Sequence, residues 1–388
     1  MKIPKALDKI LTVIGWILSV APYIILGGYC ADSVDKLYPE DSAGKQLIMM
    51  GLLLLVGVFT LFVHIITHEW GHYLLGKATG WKFASFRVGS LTLVKQNGKV
   101  EIRKTTVMGT GGQCLMSPPE DVEYENCPFT LYLLGGGLIN LLFGGLSLLG
   151  GYFLSGLPQV VFNIGAITGI GCGIMNLFPA RMGGTANDGY NIFIDLPKNK
   201  TGRKALACLM DANARLYNVE STKQLPEKLY NGILGFDYSD IGNTGICNLL
   251  CFKATILMEE GKYAEVREIF ERIDTDPLTL QIFKNEAKCE LLYLEIMDGC
   301  NAEKIDALYD KKLEEYIKAT SLYPSRHRLM YAYHLIYKRD EKKADEEYKA
   351  LLKSAETHPS KAEGAIEVRE AERIRAYYDN IGSEQKAD

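Results

Sequence analysis

His68-Glu69-Trp70-Gly71-His72 places two imidazoles four residues apart, with a carboxylate beside the first. On a helix, positions i and i+4 share a face, so both rings can reach one metal ion. Glu69 lies one residue from His68 and three from His72, near enough to take a proton from a water at that ion without being a ligand. This is the pattern of a zinc hydrolase, in which the metal acidifies a water and a carboxylate accepts its proton. The competing reading is two unpaired histidines near a helix end. It is the weaker one, because the chain has only six histidines and ionisable groups at membrane depth are too costly to place without use.

A catalytic zinc site needs a third protein ligand and an open position. His64 extends the stripe 64, 68, 72, but those positions span about 12 Å along a helix, too far for one ion. His64 therefore reads as a polar contact inside a helix bundle. Glu101, Glu120, Glu123 and Glu125 are further candidates, in a charged loop with nothing to fix them. The better candidate segment is 175–191, MNLFPARMGGTANDGYN. Asn176 and Pro179 close an apolar run there, and Asp188-Gly189 follow.

These residues need elements to hold them. Crossing a bilayer takes about 20 apolar residues. Four stretches qualify: roughly 10–29, 47–72, 129–154 and 157–178, the last two split by Ser155-Gly156-Leu157-Pro158. The first follows a basic start and has no small-x-small cleavage site, so it reads as an uncleaved anchor rather than a signal peptide. The loop 31–45 is acidic, with Asp32, Asp35, Glu40 and Asp41. The loop 77–128 carries Lys77, Lys82, Arg87, Lys95, Lys99, Arg103 and Lys104. The positive-inside rule then puts the N-terminus, the loop 77–128 and the C-terminal half in the cytoplasm. On that topology the second and fourth spans both deliver their polar ends, near His72 and Asp188, to the cytoplasmic side. Gly165, Gly169 and Gly173 form a small-residue stripe suited to close helix packing.

Three features together resemble the site-2 proteases, a family of intramembrane zinc metalloproteases. They are His68-Glu69-x-x-His72, Gly136-Gly137-Leu138-Ile139-Asn140 in the next span, and Asn176-x-x-Pro179 followed by Asp188-Gly189, over roughly residues 47–196. The resemblance implies that His68, His72 and Asp188 bind Zn2+ and that Glu69 is the general base and then the proton donor. It implies that Asn140 contacts the substrate backbone or the developing oxyanion, and that Asn176 is a further polar contact. An interhelical hydrogen bond is the alternative use of Asn140. The chain departs from the family pattern in the length of Ala180–Asn187, with its Gly183-Gly184, and in lacking room for a PDZ domain. The stretch FASFRVGSLTLVKQNGKVEIRK alternates apolar and polar residues around Asn97-Gly98, a hairpin signature. In the family a membrane-dipping hairpin lies between these spans, and a strand edge there could pair with an unwound substrate.

The second half of the chain changes character. KATILMEEGKYAEVREIFERIDTDP, 253–277, resembles a tetratricopeptide repeat, with Gly261, Tyr263, Phe270 and Pro277 near the expected positions. Segments 278–298, 302–322, 326–337 and 341–356 continue a helical rhythm. Such stacked hairpins form peptide- or protein-binding surfaces.

The expected architecture is thus an α-helical polytopic membrane protein of about four spans with a β-hairpin insertion, joined to a soluble all-α, tetratricopeptide-like region. Its parts are an anchor and extracytoplasmic loop over 1–45, a site-2-protease-like core over 46–200 and a cytoplasmic helical region over 201–388. The expected function is proteolysis in or near a membrane-spanning segment of a membrane protein or small precursor peptide, in a cell membrane and, from the PDZ-free organisation, a bacterial one. The helical region would dock the substrate or a cytoplasmic partner. The alternative is a non-catalytic receptor or scaffold, and an intact Glu69 speaks against it. A net charge of −4 argues against nucleic acid as a partner. Nine cysteines without a C-x-x-C pair suit a reducing compartment.

Overall fold

The computed structural model describes residues 4–96, 98–104 and 111–384. Asn97 of the expected hairpin turn lies outside the described residues. The chain divides into two compact units, Met1–Val94 with Glu101–Arg203, and Lys95–Val100 with Lys204–Asp388.

The first unit is built on four helices long and apolar enough to cross a membrane. They are α1 (Lys5–Leu37), α2 (Ala43–Ala78), α3 (Phe129–Tyr152) and α4 (Gly156–Leu177). At 1.5 Å per residue, α2 is about 54 Å long, well beyond a hydrocarbon layer of about 30 Å. His68 and His72 therefore lie far along it, past its purely apolar part. Large apolar side chains, Ile24, Leu47, Phe59 and Tyr152 among them, stand exposed on these helices. Exposed apolar surface of that extent is consistent with helices that face lipid. Leu26, Cys30, Val34, Leu53, Val160 and Ile164 join α1, α2 and α4 in a small core. The stripe Gly165, Gly169 and Gly173 faces Ser147, His64 with Gly144, and Leu141 with Gly137, so α4 meets α2 and α3 at close range.

Between α2 and α3 lie β1 (Lys82–Val88), β2 (Leu91–Gln96), β3 (Lys99–Lys104) and β4 (Gly112–Ser117). They form one antiparallel sheet in the order β3-β2-β1-β4. The insertion is thus larger than a hairpin. Gly89, with φ of 57°, turns β1 into β2, pairing Val88 with Leu91. Gly98 also holds a positive φ, 81°, as a tight Asn-Gly turn requires. β4 pairs with β1 from Lys82↔Ser117 to Val88↔Gly112, with a bulge at Phe83–Ser85. After α4 come two very short paired strands, β5 (Arg181–Met182) and β6 (Thr185–Ala186), then the helical turn α5 (Asp188–Tyr190).

The rest of the described chain is mainly helical: α6 (Lys200–Leu216), α7 (Glu227–Leu234), α8 (Thr244–Glu259), α9 (Tyr263–Thr275), α10 (Gln281–Met297), α11 (Ala302–Leu308), α12 (Lys311–Ala319), α13 (Pro324–Ala332), α14 (Glu341–Glu356) and α15 (Lys361–Glu384). Segment 253–277 becomes the second half of α8, a short turn and α9. Gly261 sits at φ 75°, and the Lys262 N–H returns to Leu257 O at 2.9 Å, a glycine-closed helix end. Segment 302–322 is two helices rather than one, because the Asp310 carboxylate accepts from Leu313 N at 2.7 Å and starts α12. The interior of this unit is partly ionic. Arg328 is fully buried and donates to Glu290 at 2.7 and 2.8 Å and to Glu367 at 2.6 Å, with its guanidinium 4.0 Å from the Tyr293 ring centroid.

Candidate metal centre

The helical spacing of His68 and His72 brings their Nε2 atoms within 3.1 Å of each other. Asp188 Oδ2 lies 3.4 Å from each. One ligand atom from each residue falls within 4.8 Å of the others, the one such group of His, Cys, Asp and Glu side chains among the described residues. A tetrahedral ion with bonds of about 2.0–2.2 Å sets its ligand atoms about 3.3–3.5 Å apart. The two His–Asp separations match that edge and the His–His one is slightly shorter, so the cluster could hold a metal ion.

Backbone proximity makes the space. A Cβ on Gly71 would stand 2.2 Å from Gly135 O, and one on Gly135 would stand 2.3 Å from Gly71 O. α2 and α3 therefore touch main chain to main chain beside the site. Gly136 then faces the imidazoles. A Cβ there would come within 2.5 Å of His68 Nε2 and 2.6 Å of His72 Nε2, inside the volume an ion would need.

Each ligand is held from behind. His72 Nδ1 donates to Tyr132 O at 2.7 Å. That fixes its tautomer and leaves Nε2 for a metal. Tyr132 is itself locked. Its hydroxyl donates to Cys114 O in β4 at 2.7 Å, and its ring stacks on Trp81 at 4.9 Å. His68 Nδ1 lies 3.2 Å from the Asn140 amide. Asn140 also accepts from the Thr67 hydroxyl at 3.1 Å.

Asp188 arrives by a longer route. The Ala180–Asn187 stretch folds into the β5–β6 hairpin, with Gly183 and Gly184 at φ 59° and 87°. Its ends meet, Asn187 N donating to Ala180 O at 3.1 Å. The Asn187 side chain donates to Met175 O at 2.8 Å and Phe178 O at 2.7 Å, and accepts from Ala180 N and Tyr190 N at 3.2 and 2.9 Å. One side chain thus ties the end of α4 to the turn that carries Asp188. The far side is tied to α1, where Tyr190 donates to Asp8 at 2.9 Å. Burial works against the Asp188 charge, but the His72 and His68 imidazoles outweigh it and hold the carboxyl below its ordinary pKa.

Glu69 is buried. Its carboxylate accepts a backbone hydrogen bond from Cys114 and interacts electrostatically with His72, His68 and Asp188. β4 covers it closely, since a Cβ on Gly112 would stand 2.6 Å from Glu69 Oε1.

The other expected residues lie apart. His64 Nε2 meets Gly165 O at 3.1 Å, a bundle contact to α4, and its ring also neighbours the Asn140 side chain. Asn176 donates to Cys172 O in its own helix at 3.0 Å. Glu101 pairs with Arg103 at 3.1 Å and Glu120 with Lys82 at 2.9 Å, both exposed. Sequence reasoning did not single out Tyr132, Cys114, Asn187 or Thr67. Tyr132 and Cys114 act through main-chain or strand contacts that carry no sequence signature. Asn187 had a signal, an Asn immediately before Asp-Gly, the residue type that caps turns.

Compared with models of known protein families, with curated proteins and with solved structures, the chain finds no match.

Proposed function

We propose that the protein is an intramembrane zinc metalloprotease, hydrolysing a peptide bond in or near the membrane-spanning segment of a membrane protein or small precursor peptide. The observation that carries this reading is the meeting of His68, His72 and Asp188 within 3.1–3.4 Å of one another beside helices of membrane-spanning length, with the Glu69 carboxylate buried next to them. Two imidazoles and a carboxylate are a donor set zinc favours, and three protein ligands leave one position open.

His68, His72 and Asp188 would hold the ion. Zinc there would supply Lewis acidity, lowering the pKa of a water and polarising a carbonyl oxygen. Glu69 accepts the proton of the attacking water and delivers it to the leaving amine, a role that needs a carboxylate held in place rather than one ligating the metal. The Cys114 N–H and the β4 backbone fix that carboxylate. Tyr132 O holds His72 in its ligating tautomer. Asn187 holds Asp188 at the end of its hairpin.

The wider reading rests on the charge pattern for topology and on the PDZ-free organisation for the cell type. Both termini lie in the cytoplasm of a bacterial cell, and the helical unit, read as a tetratricopeptide-like stack, docks a substrate tail or a cytoplasmic partner. A purely structural metal site would have no use for a buried carboxylate beside its ligands, which favours catalysis over a scaffold.

The test is metal content and turnover in detergent-purified protein. Wild type should carry one zinc per chain, lost in His72→Ala and in Asp188→Ala. Glu69→Gln should keep the zinc and lose cleavage of membrane-embedded peptides in reconstituted vesicles by about 10²–10⁴-fold, the usual contribution of a positioned acid–base group. Wild type free of zinc, or Glu69→Gln cleaving at the wild-type rate, would sink the reading.

A further inference from the structure

A neutral imidazole can ligate through Nε2 only when its proton sits on Nδ1. For His72 this is settled by Tyr132 O, 2.7 Å from Nδ1, because a carbonyl only accepts. His68 has no carbonyl behind it. It has the Asn140 amide, whose Nδ2 is placed 3.2 Å from Nδ1 with Oδ1 toward Thr67. An amide presents a donor at one end and an acceptor at the other, and a half-turn exchanges them. With Nδ2 toward the ring, Asn140 donates, the ring proton is driven to Nε2, and His68 cannot bind a metal. With Oδ1 toward the ring, Asn140 accepts Nδ1–H and frees Nε2.

The Thr67 hydroxyl suits both orientations. It lies 3.1 Å from the other end of the amide and 3.2 Å from His64 O. It donates to Oδ1 in the first state. In the second it accepts from Nδ2 and turns its own proton to His64 O. Asn140 is only 1% exposed, and both ends of its amide are engaged within α2. That placement points away from substrate contact and toward the ligand itself. Resting on the zinc-site reading, we infer that Asn140, backed by the Thr67 hydroxyl, is a positioning residue that sets the tautomer of His68 and so the site's competence for metal.

The test is zinc affinity in full-length protein in detergent, by competition with a chromophoric chelator, with Co2+ absorption as a second readout of ligand geometry. Asn140→Leu offers no acceptor and should bind zinc 10–100-fold more weakly, the range seen when a ligand's hydrogen-bond partner is removed. Asn140→Asp accepts only, so it should bind at least as tightly as wild type and keep a four-coordinate Co2+ spectrum. Wild-type affinity in Asn140→Leu, with only turnover reduced, would return Asn140 to a substrate role and overturn the inference. Loss of metal in Asn140→Asp would also overturn it, and that variant decides the matter if the Leu variant does not fold. Wild type that takes up no metal would remove the zinc-site reading itself, and this inference with it.

Discussion

Replacing Gly136 by Ala tests the metal centre without touching a ligand. The added methyl would stand 2.4 Å from His68 Cε1, 2.5 Å from His68 Nε2 and 2.6 Å from His72 Nε2, where ordinary contact begins at 3.4 Å. The rings must therefore retract by roughly 1 Å, while ligand distances in a working site hold within about 0.2 Å. Both imidazoles are affected at once, so a loss of at least about 100-fold in affinity is expected. That loss equals about 2.7 kcal/mol of metal-linked stability. The methyl also overpacks the α2–α3 contact, at a cost of about 1–3 kcal/mol independent of metal. The two effects separate in one assay. Thermal unfolding in detergent, with zinc and with chelator, should show wild type gaining stability from zinc. Gly136→Ala should unfold somewhat earlier in chelator and gain almost nothing from zinc. One zinc per chain in Gly136→Ala, at an affinity within a few-fold of wild type, would refute the placement of the ion between these rings.

Asn187→Ala removes the side chain that bridges α4 and the Asp188 turn through four hydrogen bonds. It should lower zinc occupancy toward that of Asp188→Ala, read by elemental analysis, although no ligand changes. Arg328→Met leaves Glu290 and Glu367 buried without their cation. Breaking one side of such a network costs about 3–5 kcal/mol, so hydrogen exchange across 281–375 should accelerate strongly, and unchanged protection would count against a structural role. Glu259 gives a pH signature. Burial opposes its charge, but hydrogen bonds from Thr222 and Ser221 and the nearby Arg369 outweigh it, holding its pKa below the ordinary 4.5. A depressed carboxyl contributes stability above its unfolded pKa and loses it as the pH falls through the folded value. Exchange in 221–260 should therefore rise below about pH 4.5, and Glu259→Gln should flatten that rise.

The four long helices were legible because length and apolarity alone decide them. The metal-ligand candidates were legible from i, i+4 spacing for His68 and His72, and for Asp188 from its place after an apolar run together with the family resemblance. The features that escaped the sequence are those that depend on partners far along the chain. β4, GQCLMS, has no clean alternation. It becomes a strand because it pairs with β1 and covers Glu69, and nothing in its six residues announces either. The break between α11 and α12 was readable in principle, since Asp310 is a residue type that starts helices, but a helical rhythm over 302–322 hid it. The residues Ala180–Asn187 depart from the family pattern in length, and their Gly183-Gly184 allow the chain to fold back toward Asp188. Here they close on themselves, Asn187 N meeting Ala180 O, so the insertion adds a hairpin while its two ends stay together.

Asn140 marks the limit of reading by residue type. The same amide can hold a substrate, join two helices or set a histidine's tautomer, and its letter is the same in each. Only its neighbours separate these uses. Thr67 stands directly before His68, in plain view. Its hydroxyl acquires meaning only when α3 brings Asn140 within 3.1 Å of it. A donor–acceptor pair formed across two helices is specified by their packing, and that packing depends on Gly71 and Gly135 touching backbone to backbone. The glycines of the α2–α3 crossing therefore bear on the candidate metal site as its proposed ligands do, by setting the distance between the Asn140 amide and His68.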